Sequence, residues 1–319
     1  MVKMKAIQIY APGGVDVLRY EDVERPEPQA GEVVVRVHAA GINPIDTISR
    51  AHPLPLTTGK ANFPYILGWD IAGEVVEVGE GVTQFVPGDA VYGMIRFPQE
   101  GKAYSEYVSA PVEDLARKPV RLTYQEAAGV PAVALTVWQD LFDIAHLQAG
   151  QTVFIAGGAG GCGHIAVQLA KWKGAKVIST TSTRNVDFVR QLGADVVIDY
   201  TQQSFVEHVK EVDVVLDTIG GEVLRQAFQV VKRGGIVVSL PGHTNVQAIG
   251  DELAPRYGVA FVFTPVHPSG TQLAEITSLF DAGQLNVHID GVFPLQEVAQ
   301  AHTLSEGGHV RGKLVLNIE

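Results

Sequence analysis

Residues 152–172 read TVFIAGGAGGCGHIAVQLAKW, and this stretch decides the fold. A run of apolar or small residues, Val153–Gly157, leads directly into a cluster of glycines, and apolar residues then recur at helical spacing. Within the cluster, Gly158, Gly160 and Gly163 spell G-x-G-x-x-G. In a dinucleotide-binding fold, the first glycine makes the tight turn, the second lets the backbone approach the phosphates, and the third lets the helix pack closely. The N–H groups at the helix start then face a pyrophosphate.

A glycine-rich turn without a ligand is the competing interpretation of this stretch. The strand before the turn, the helix after it and a further strand at the expected distance favour a dinucleotide. The cofactor contacts predicted from the turn are the consecutive residues Gly158, Ala159, Gly160, Gly161, Cys162 and Gly163.

The composition limits the class of protein. A chain of 319 residues is long enough for two domains with sizeable cores. No apolar run is long enough to span a bilayer and the start lacks the apolar segment of a signal peptide, so we expect a cytoplasmic protein without membrane association. Cys162 is the only cysteine, which excludes an internal disulfide and a cysteine-rich zinc site, and it is interpreted as a small apolar spacer. The net charge of −11 argues against a nucleic-acid partner.

The first 120 residues differ in pattern from the middle of the chain. Short alternating runs, separated by glycine and proline, predict a β-rich, partly open barrel. These runs are Ala6–Tyr10, Glu32–Ala39, Gly73–Val78, Ala90–Tyr92 and Tyr104–Ser109. A capping-box pattern at Thr123–Glu126 then predicts the start of a long apolar helix over residues 124–146.

From residue 151 to about 264 the pattern alternates between strands and helices, which predicts a doubly wound parallel sheet of the α/β class. The strands are expected at Thr152–Ala156, Lys176–Thr180, Val196–Asp199, Val212–Asp217, Ile236–Leu240 and Val259–Phe263. Pro265 and Pro268-Ser269-Gly270 mark a boundary. Beyond it we expect helices at about 271–282 and 296–305 and a last strand, Lys313–Ile318, that returns to the first domain. The predicted domains are therefore 1–122 with 265–319, and 123–264.

Several sequence blocks follow one another in an order that matches a known family. They are Ala39–Asp46 (AAGINPID), Leu67–Val75 (LGWDIAGEV), Pro87–Tyr92 (PGDAVY), Ala103–Val108 (AYSEYV), Leu192–Asp195 (LGAD) and His309–Leu316 (HVRGKLVL). Together with the glycine turn, these blocks resemble the zinc-independent quinone oxidoreductases of the medium-chain dehydrogenase/reductase superfamily. The resemblance implies a Rossmann domain inserted into a GroES-like, partly open barrel domain. It also implies a homodimer joined along a sheet edge, through Val259–Phe263.

The same resemblance shows which zinc ligands are missing. Zinc-dependent relatives carry a cysteine where this chain has Ile42 or Asn43, and a Gly-His-Glu block where it has Gly68-Trp69-Asp70. Relatives with a structural zinc carry four cysteines near residues 95–103, a stretch that has none here. The ten histidines are scattered, with no pair at metal-binding spacing on a helix. We predict no metal, although a site built from distant histidines stays an open alternative.

The end of the second strand of the sheet favours NADPH over NADH. NAD-binding folds place a carboxylate there, whereas Ser179–Asn185 (STTSTRN) contains none before Asp187. Thr181, Ser182 and Arg184 are predicted to bind the 2′-phosphate, because a guanidinium matches phosphate geometry and is always charged. The alternative is a polar strand end in which Ser182 caps the next helix. The resemblance adds Tyr200 as a further contact to the 2′-phosphate. This sequence departs from the family at one lysine of the following helix, where it has Asn185 or Val186.

Hydride transfer requires only that the nicotinamide be held against an electrophile with water excluded. The resemblance places five residues around the reactive end of the cofactor: Asn43, Asp46, Trp69, Thr136 and Phe263. Of these, Asn43 and Thr136 are predicted to be catalytic, and the Asn43 amide could donate a hydrogen bond to developing oxyanion charge. Alternatively, Thr136 bonds its own helix backbone, and Asp46 and Asp70 only organise loops.

Further residues complete the prediction. Gly242 is expected to contact the cofactor through its backbone, because it follows a strand at the carboxyl edge of the sheet. Arg311 and Lys313 either reach a cofactor phosphate or lie on the surface. Tyr65, Tyr92 and His243 are possible proton donors that the sequence does not distinguish from packing or surface groups.

These observations predict an NADPH-dependent oxidoreductase that transfers a hydride to a small quinone or α,β-unsaturated carbonyl. One alternative is a zinc-free enzyme similar to alcohol dehydrogenases, against which the missing zinc ligands argue. Another is an NADPH-binding sensor protein with little turnover. The intact glycine turn and Asn43 favour the enzyme over the sensor.

Overall fold

The computed structural model describes residues 2–52, 63–242 and 245–318. The strands in these ranges are β1 (Lys3–Ile9), β2 (Arg19–Glu24), β3 (Glu32–Ile42), β4 (Tyr65–Ile66), β5 (Asp70–Val78), β6 (Ala90–Met94), β7 (Tyr107–Pro111), β8 (Leu115–Arg117), β9 (Thr152–Ala156), β10 (Lys176–Thr181), β11 (Val196–Asp199), β12 (Val212–Asp217), β13 (Val231–Ser239), β14 (Ala260–Val262), β15 (Ile289–Pro294) and β16 (Lys313–Asn317). The α-helices are α1 (Pro44–Ala51), α2 (Tyr124–Ala128), α3 (Pro131–Trp138), α4 (Gly161–Trp172), α5 (Val186–Gln191), α6 (Phe205–His208), α7 (Gly221–Ala227), α8 (Val246–Tyr257), α9 (Gly270–Asp281) and α10 (Val298–Glu306).

The chain divides into two compact units, one of Met1–Leu135 with His267–Glu319 and the other of Thr136–Val266. In the first unit, a seven-stranded sheet has the order β15-β16-β3-β5-β6-β8, with β7 also paired to β3. A three-stranded sheet, β2-β1-β4, completes its strands. Val33, Val35 and Val37 of β3 lie in the core cluster of this unit, whereas Arg36 and His38 are only half-buried, which accounts for the alternating sequence around them. The last strand, β16, pairs antiparallel with β3, so the C-terminal tail belongs to the first unit.

In the second unit, a six-stranded parallel sheet has the order β11-β10-β9-β12-β13-β14. This is the doubly wound order in which the chain starts at the centre and fills each side in turn. Strands β9 and β12 are buried along nearly their whole length, because helices cover both faces of such a sheet. The predicted fold class, a Rossmann sheet with a β-rich GroES-like domain that does not close into a barrel, is confirmed.

The long helix expected over residues 124–146 is wrong. It is divided into α2, which ends at Ala128 with Gly129 as its C-cap, and α3, which begins at Pro131. Proline has no N–H and disfavours helical geometry in the residue before it, so the helix cannot continue through this point. After α3 the chain adopts a π-helical stretch, Gln139–Ile144, which the sequence pattern did not indicate.

The segment from Thr123 to Leu135 was assigned to the second domain from the sequence, whereas in the structure it groups with the first unit. Within this segment, α2 packs on β3 and β5, which are strands of the first unit. The assignment of a catalytic role to one unit and a dinucleotide-binding role to the other stays a prediction. Among the described residues, no helix has both the length and the apolar character needed to cross a membrane.

Candidate functional site

The glycine turn lies between β9 and α4, as the sequence predicted. Its left-handed residue is Gly157, with φ of 79°, so the tight turn is made one residue before the first glycine of the motif. Gly158 N–H donates to Thr180 O over 2.9 Å and Gly157 N–H donates to Thr180 Oγ1 over 3.1 Å, which fixes the turn against β10. Gly160 is the N-cap of α4. The first-turn N–H groups of α4 therefore start directly after the turn, in the position that suits an anion.

The three motif glycines differ in what a side chain would meet. A Cβ on Gly158 would lie 2.2 Å from Ser179 Oγ, and one on Gly163 would lie 2.1 Å from Gly157 O. A Cβ on Gly160 would have a single neighbour within 4 Å, Gly157 O at 3.5 Å. Packing inside the protein thus explains the absence of a side chain at Gly158 and Gly163, but not at Gly160. A ligand that must approach the backbone explains it, so the turn fits a pyrophosphate.

The residues predicted to bind the 2′-phosphate come together at the ends of β10 and β11. Tyr200 N–H donates to Thr181 O over 3.1 Å, which places the exposed Tyr200 beside Thr181 and Ser182. Arg184 is exposed and lies two residues further along, in a single turn of 3₁₀-helix. Their role in binding the phosphate stays a prediction.

One carboxylate in this region, that of Asp199, is not among the residues predicted from the sequence. Asp199 pairs with Thr181 in the parallel register of β10 and β11, and its Oδ2 accepts a hydrogen bond from Thr183 Oγ1 over 2.6 Å. The hydroxyl of Thr183 lowers the pKa of Asp199, so the group is charged at neutral pH. Its signal was present in the sequence, because parallel strands end at the same edge of a sheet and Asp199 ends the third predicted strand.

Gly242 and Phe263 also come together. A Cβ on Gly242 would lie 2.8 Å from Phe263 Cζ, so the ring covers the backbone at this point. Both residues follow the carboxyl ends of neighbouring strands, β13 and β14, where ligands bind in open α/β sheets. The neighbouring candidate His243 lies outside the described residues. Thr136 is half-buried in α3, where it is the first residue of the second unit.

In the first unit, Asn43 is the centre of a buried polar cluster. It is the N-cap of α1, and its backbone N–H donates to Asp46 Oδ2 over 2.7 Å. Its side-chain Nδ2 donates to Asp70 Oδ2 over 2.9 Å, while Lys313 Nζ donates to Asn43 Oδ1. Because an ammonium group only donates, the amide oxygen must face Lys313 and the amide nitrogen must face Asp70. The orientation of the Asn43 amide is therefore fixed from both ends.

The electrostatics of this cluster follow from burial. Burial raises the pKa of Asp46 to about 7, although the Asn43 N–H opposes the rise. Burial likewise raises the pKa of Asp70 to about 6, and Lys313 opposes that rise. Asp70 also accepts a hydrogen bond from Ala132 N–H at the start of α3, over 2.9 Å. The cluster thus holds two carboxyl groups whose charge changes close to neutral pH.

Lys313 was expected either to reach a cofactor phosphate or to lie on the surface. It is only 3% exposed, and its Nζ also donates to Ile42 O over 2.7 Å, so the surface alternative is wrong. A contact with the cofactor stays a prediction for Lys313 and for Arg311, whose backbone N–H bonds Asp290 over 3.1 Å. No local signal could have revealed the contact between Lys313 and Asn43, because 270 residues separate them in sequence.

Two of the other candidates have well-defined partners. Tyr92 is buried, and its hydroxyl donates to Leu273 O over 3.0 Å and contacts Thr277 Oγ1, which indicates a packing role. Trp69 is buried with Nε1 donating to Gln99 O over 2.6 Å. Tyr65 is half-buried, and burial raises the pKa of its hydroxyl. Across residues 2–52, 63–242 and 245–318, no cluster of three or more histidine, cysteine or acidic side chains could hold a metal ion.

The chain is similar along most of its length to proteins of one known family. Residues 29–120 match the family model described as alcohol dehydrogenase GroES-like domain, and residues 192–316 match that described as zinc-binding dehydrogenase. The chain is 35% identical to the mitochondrial NAD(P)H oxidoreductase RTN4IP1 of Danio rerio, covering 90% of this chain and 84% of that protein. It is 34% identical to the chloroplastic NADPH-dependent alkenal/one oxidoreductase of Arabidopsis thaliana, covering 98% and 79%. The solved quinone oxidoreductase of Coxiella burnetii superposes with a TM-score of 0.91 at 36% identity, covering 100% of both chains.

Proposed function

Since the chain belongs to the zinc-independent quinone oxidoreductase type of the medium-chain dehydrogenase/reductase superfamily, we propose that it transfers a hydride from NADPH to quinones or α,β-unsaturated carbonyls. The observation that carries the proposal is the open side of Gly160, which no contact within the described protein explains. The printed names of the relatives support both the cofactor and the acceptor class, since they include an NADPH-dependent alkenal/one oxidoreductase and a quinone oxidoreductase.

The turn from Gly158 to Gly163 binds the pyrophosphate through backbone N–H groups, and the small residues Ala159, Gly161 and Cys162 leave room for it. Thr181, Ser182, Arg184 and Tyr200 bind the 2′-phosphate. Gly242 and Phe263 contact the cofactor from the neighbouring strands. When bound, NADPH supplies the hydride, and it is the only redox partner that the reaction requires.

Asn43 and Thr136 are the residues that we propose for catalysis. An asparagine amide has two N–H donors, and Asp70 takes one of those of Asn43. The second can donate to the carbonyl oxygen of the acceptor as negative charge develops there. With an enone, the hydride adds to the β-carbon, the displaced electron pair moves to the oxygen, and the α-carbon then takes a proton from water. A quinone takes the hydride and one proton to give the hydroquinone.

The test is the oxidation of NADPH, followed at 340 nm, with 1,4-benzoquinone, 9,10-phenanthrenequinone or a short enal as acceptor. We expect turnover with at least one acceptor and lower kcat/KM with NADH. Chromatography of the enal reaction should show the saturated aldehyde rather than the allylic alcohol. Tight NADPH binding without turnover on any acceptor would refute the enzyme and favour the sensor protein.

The predicted homodimer also belongs to this proposal. What supports it is the position of β14 at one end of the six-stranded sheet, where a second copy can add its own strand. Light scattering should then give twice the monomer mass of 34.2 kDa. Cytoplasm stays the predicted compartment, although some relatives are named as mitochondrial or chloroplastic proteins.

A further inference from the structure

A chain of buried hydrogen bonds leads from α1 to the turn that carries Asn43. Arg50 Nη1 lies 3.1 Å from His302 Nδ1, and His302 Nε2 lies 3.3 Å from Tyr104 Oη. Tyr104 Oη donates to Asp46 Oδ2 over 3.0 Å, and the same oxygen accepts the Asn43 N–H. All five residues are buried. They are called the Arg50–Asn43 chain below.

The chemistry of these groups fixes which atom donates and which accepts in each hydrogen bond of the Arg50–Asn43 chain. A guanidinium only donates, so His302 Nδ1 must be the acceptor and His302 Nε2 must carry the hydrogen. His302 then donates to the oxygen of Tyr104, and the hydroxyl hydrogen of Tyr104 is left for Asp46. Burial, together with Arg50, lowers the pKa of His302 to about 3, so the imidazole stays neutral at any pH in the working range.

The outer end of the chain is fixed as well. Arg50 Nη2 donates to Glu306 Oε1 over 2.5 Å, and Arg50 Nε donates to Gly13 O over 3.1 Å. Because arginine does not release its proton, the chain cannot conduct protons from Glu306 to Asp46. It therefore acts as a rigid support.

The inner end of the chain is Asp46, whose two oxygens differ. Oδ2 accepts hydrogen bonds from Tyr104 and Asn43, whereas Oδ1 is buried and has no hydrogen-bond partner within the described residues. Protonation on Oδ1 leaves both hydrogen bonds to Oδ2 in place but removes their charge assistance, which roughly halves their strength.

We propose that Tyr104 and His302 are positioning residues for hydride transfer, acting through Asp46 on the backbone of Asn43. The proposal rests on the proposed function, because it assumes that the Asn43 amide serves the reacting oxygen. Neither residue was singled out from the sequence. Besides the chain itself, the charged or titratable groups that face Asp46 are Asp70 on β5, Lys313 on β16 and Tyr65 on β4.

The decisive variant is Tyr104→Phe, with Tyr92→Phe as its matched control. Both remove a hydroxyl from a fully buried tyrosine of the same unit. Tyr104 donates to Asp46, whereas Tyr92 donates to the backbone oxygen of Leu273. The two changes therefore differ in whether a carboxylate loses a donor.

For Tyr104→Phe we expect kcat with a quinone to fall about tenfold at pH 7 while the KM for NADPH stays unchanged, since one charge-assisted hydrogen bond is lost. The fall in kcat toward acid pH should move upward by about one pH unit, because a carboxylate that loses a donor holds its proton more strongly. Tyr92→Phe should leave both kcat and the pH profile unchanged. His302→Gln, which can accept from Arg50 and donate to Tyr104, should keep most of the activity that His302→Leu loses.

Thermal unfolding gives a readout that does not depend on activity. Tyr104→Phe should lower Tm about twice as much at pH 8 as at pH 5, whereas Tyr92→Phe should lower it equally at both. Equal losses at the two pH values for Tyr104→Phe, or a pH profile of kcat that superposes on that of Tyr92→Phe, overturn the proposal. A wild-type protein without turnover refutes the proposed function instead. The pH-dependent loss of Tm then decides whether the hydrogen bonds of the Arg50–Asn43 chain are present.

Discussion

Replacing Gly160 by valine should abolish NADPH binding without unfolding the protein. Gly160 has φ of −77° and ψ of −178°, an extended conformation that valine adopts readily. The new Cβ would have Gly157 O at 3.5 Å as its single neighbour within 4 Å, which is an ordinary contact. The added side chain would instead occupy the space from which a pyrophosphate reaches the turn.

The magnitude follows from the hydrogen bonds at stake. Each hydrogen bond to a charged group contributes about 1.5–3 kcal/mol, so the loss of two costs about 3–6 kcal/mol. Since about 1.4 kcal/mol changes an equilibrium constant tenfold, Kd should rise by roughly 10²–10⁴. Stability should change little, because two effects oppose each other. Glycine is preferred over valine at an N-cap by roughly 1 kcal/mol, which destabilises the variant. The smaller entropy of the unfolded valine chain offsets about 0.4–1 kcal/mol of that.

Gly163→Ala is the matched control at the same turn. Its Cβ would lie 2.1 Å from Gly157 O and 2.8 Å from Gly157 C, so backbone must move. Such overpacking costs about 1–3 kcal/mol, which lowers Tm by roughly 2–12 °C without any ligand. Kd is measured by calorimetry and Tm by circular dichroism, with and without NADPH. An unchanged Kd for Gly160→Val would refute the assignment of the turn, and a Tm loss as large as that of Gly163→Ala would show that Gly160 is needed for packing.

Three further changes have defined outcomes. Arg184→Ala should raise the KM for NADPH about tenfold and leave that for NADH unchanged, since one charge-assisted contact to the 2′-phosphate is lost; equal effects on both would show that Arg184 does not contact it. Burial raises the pKa of Asp140 to about 8, so the stability that this group contributes is complete below its unfolded pKa of about 3.9 and is lost as pH rises to 8. In urea unfolding, the free energy of unfolding of Asp140→Asn should therefore fall less steeply with pH than that of the wild-type protein, by at most about 1.4 kcal/mol per pH unit over this range. Parallel curves for the two proteins would contradict the burial of a titrating Asp140. Lys313→Met should lower the free energy of unfolding at pH 8 by about 3–5 kcal/mol, because two buried carboxylates lose their cation, and a loss no larger at pH 8 than at pH 5 would argue against that pairing.

The sequence was most informative where structure follows from local pattern. Strands β9 and β12 lie at the predicted residues, because a strand buried on both faces reads as a short apolar run. The edge strand β11 also lies at the predicted residues, although it is only partly buried. The glycine turn was equally visible, since its requirements are local. The break between α2 and α3 was missed although Gly129 and Pro131 mark it, because the apolar pattern continues through them.

The polar partners of Asn43 could not be predicted in the same way. Lys313 is separated from it by 270 residues, and His302 is separated from Arg50 by 252, so no spacing rule connects them. Their contacts depend on the antiparallel pairing of β16 with β3, which sets Leu314 opposite Ile42. A lysine in the last strand reads as a surface charge until that register is known.

This dependence on register makes the C-terminal strand part of the candidate site. Asp46 and Asp70 are both buried, and both accept a hydrogen bond from Asn43. Burial destabilises the charged form of each carboxyl group. Lys313 opposes the shift of both pKa values, and the pairing of β16 with β3 delivers its ammonium group to Asn43. A change that shifts β16 by one residue would turn Lys313 to the opposite face of the sheet and leave both carboxyl groups without their cation. The orientation of the Asn43 amide is therefore determined by strand pairing as much as by the residues around it.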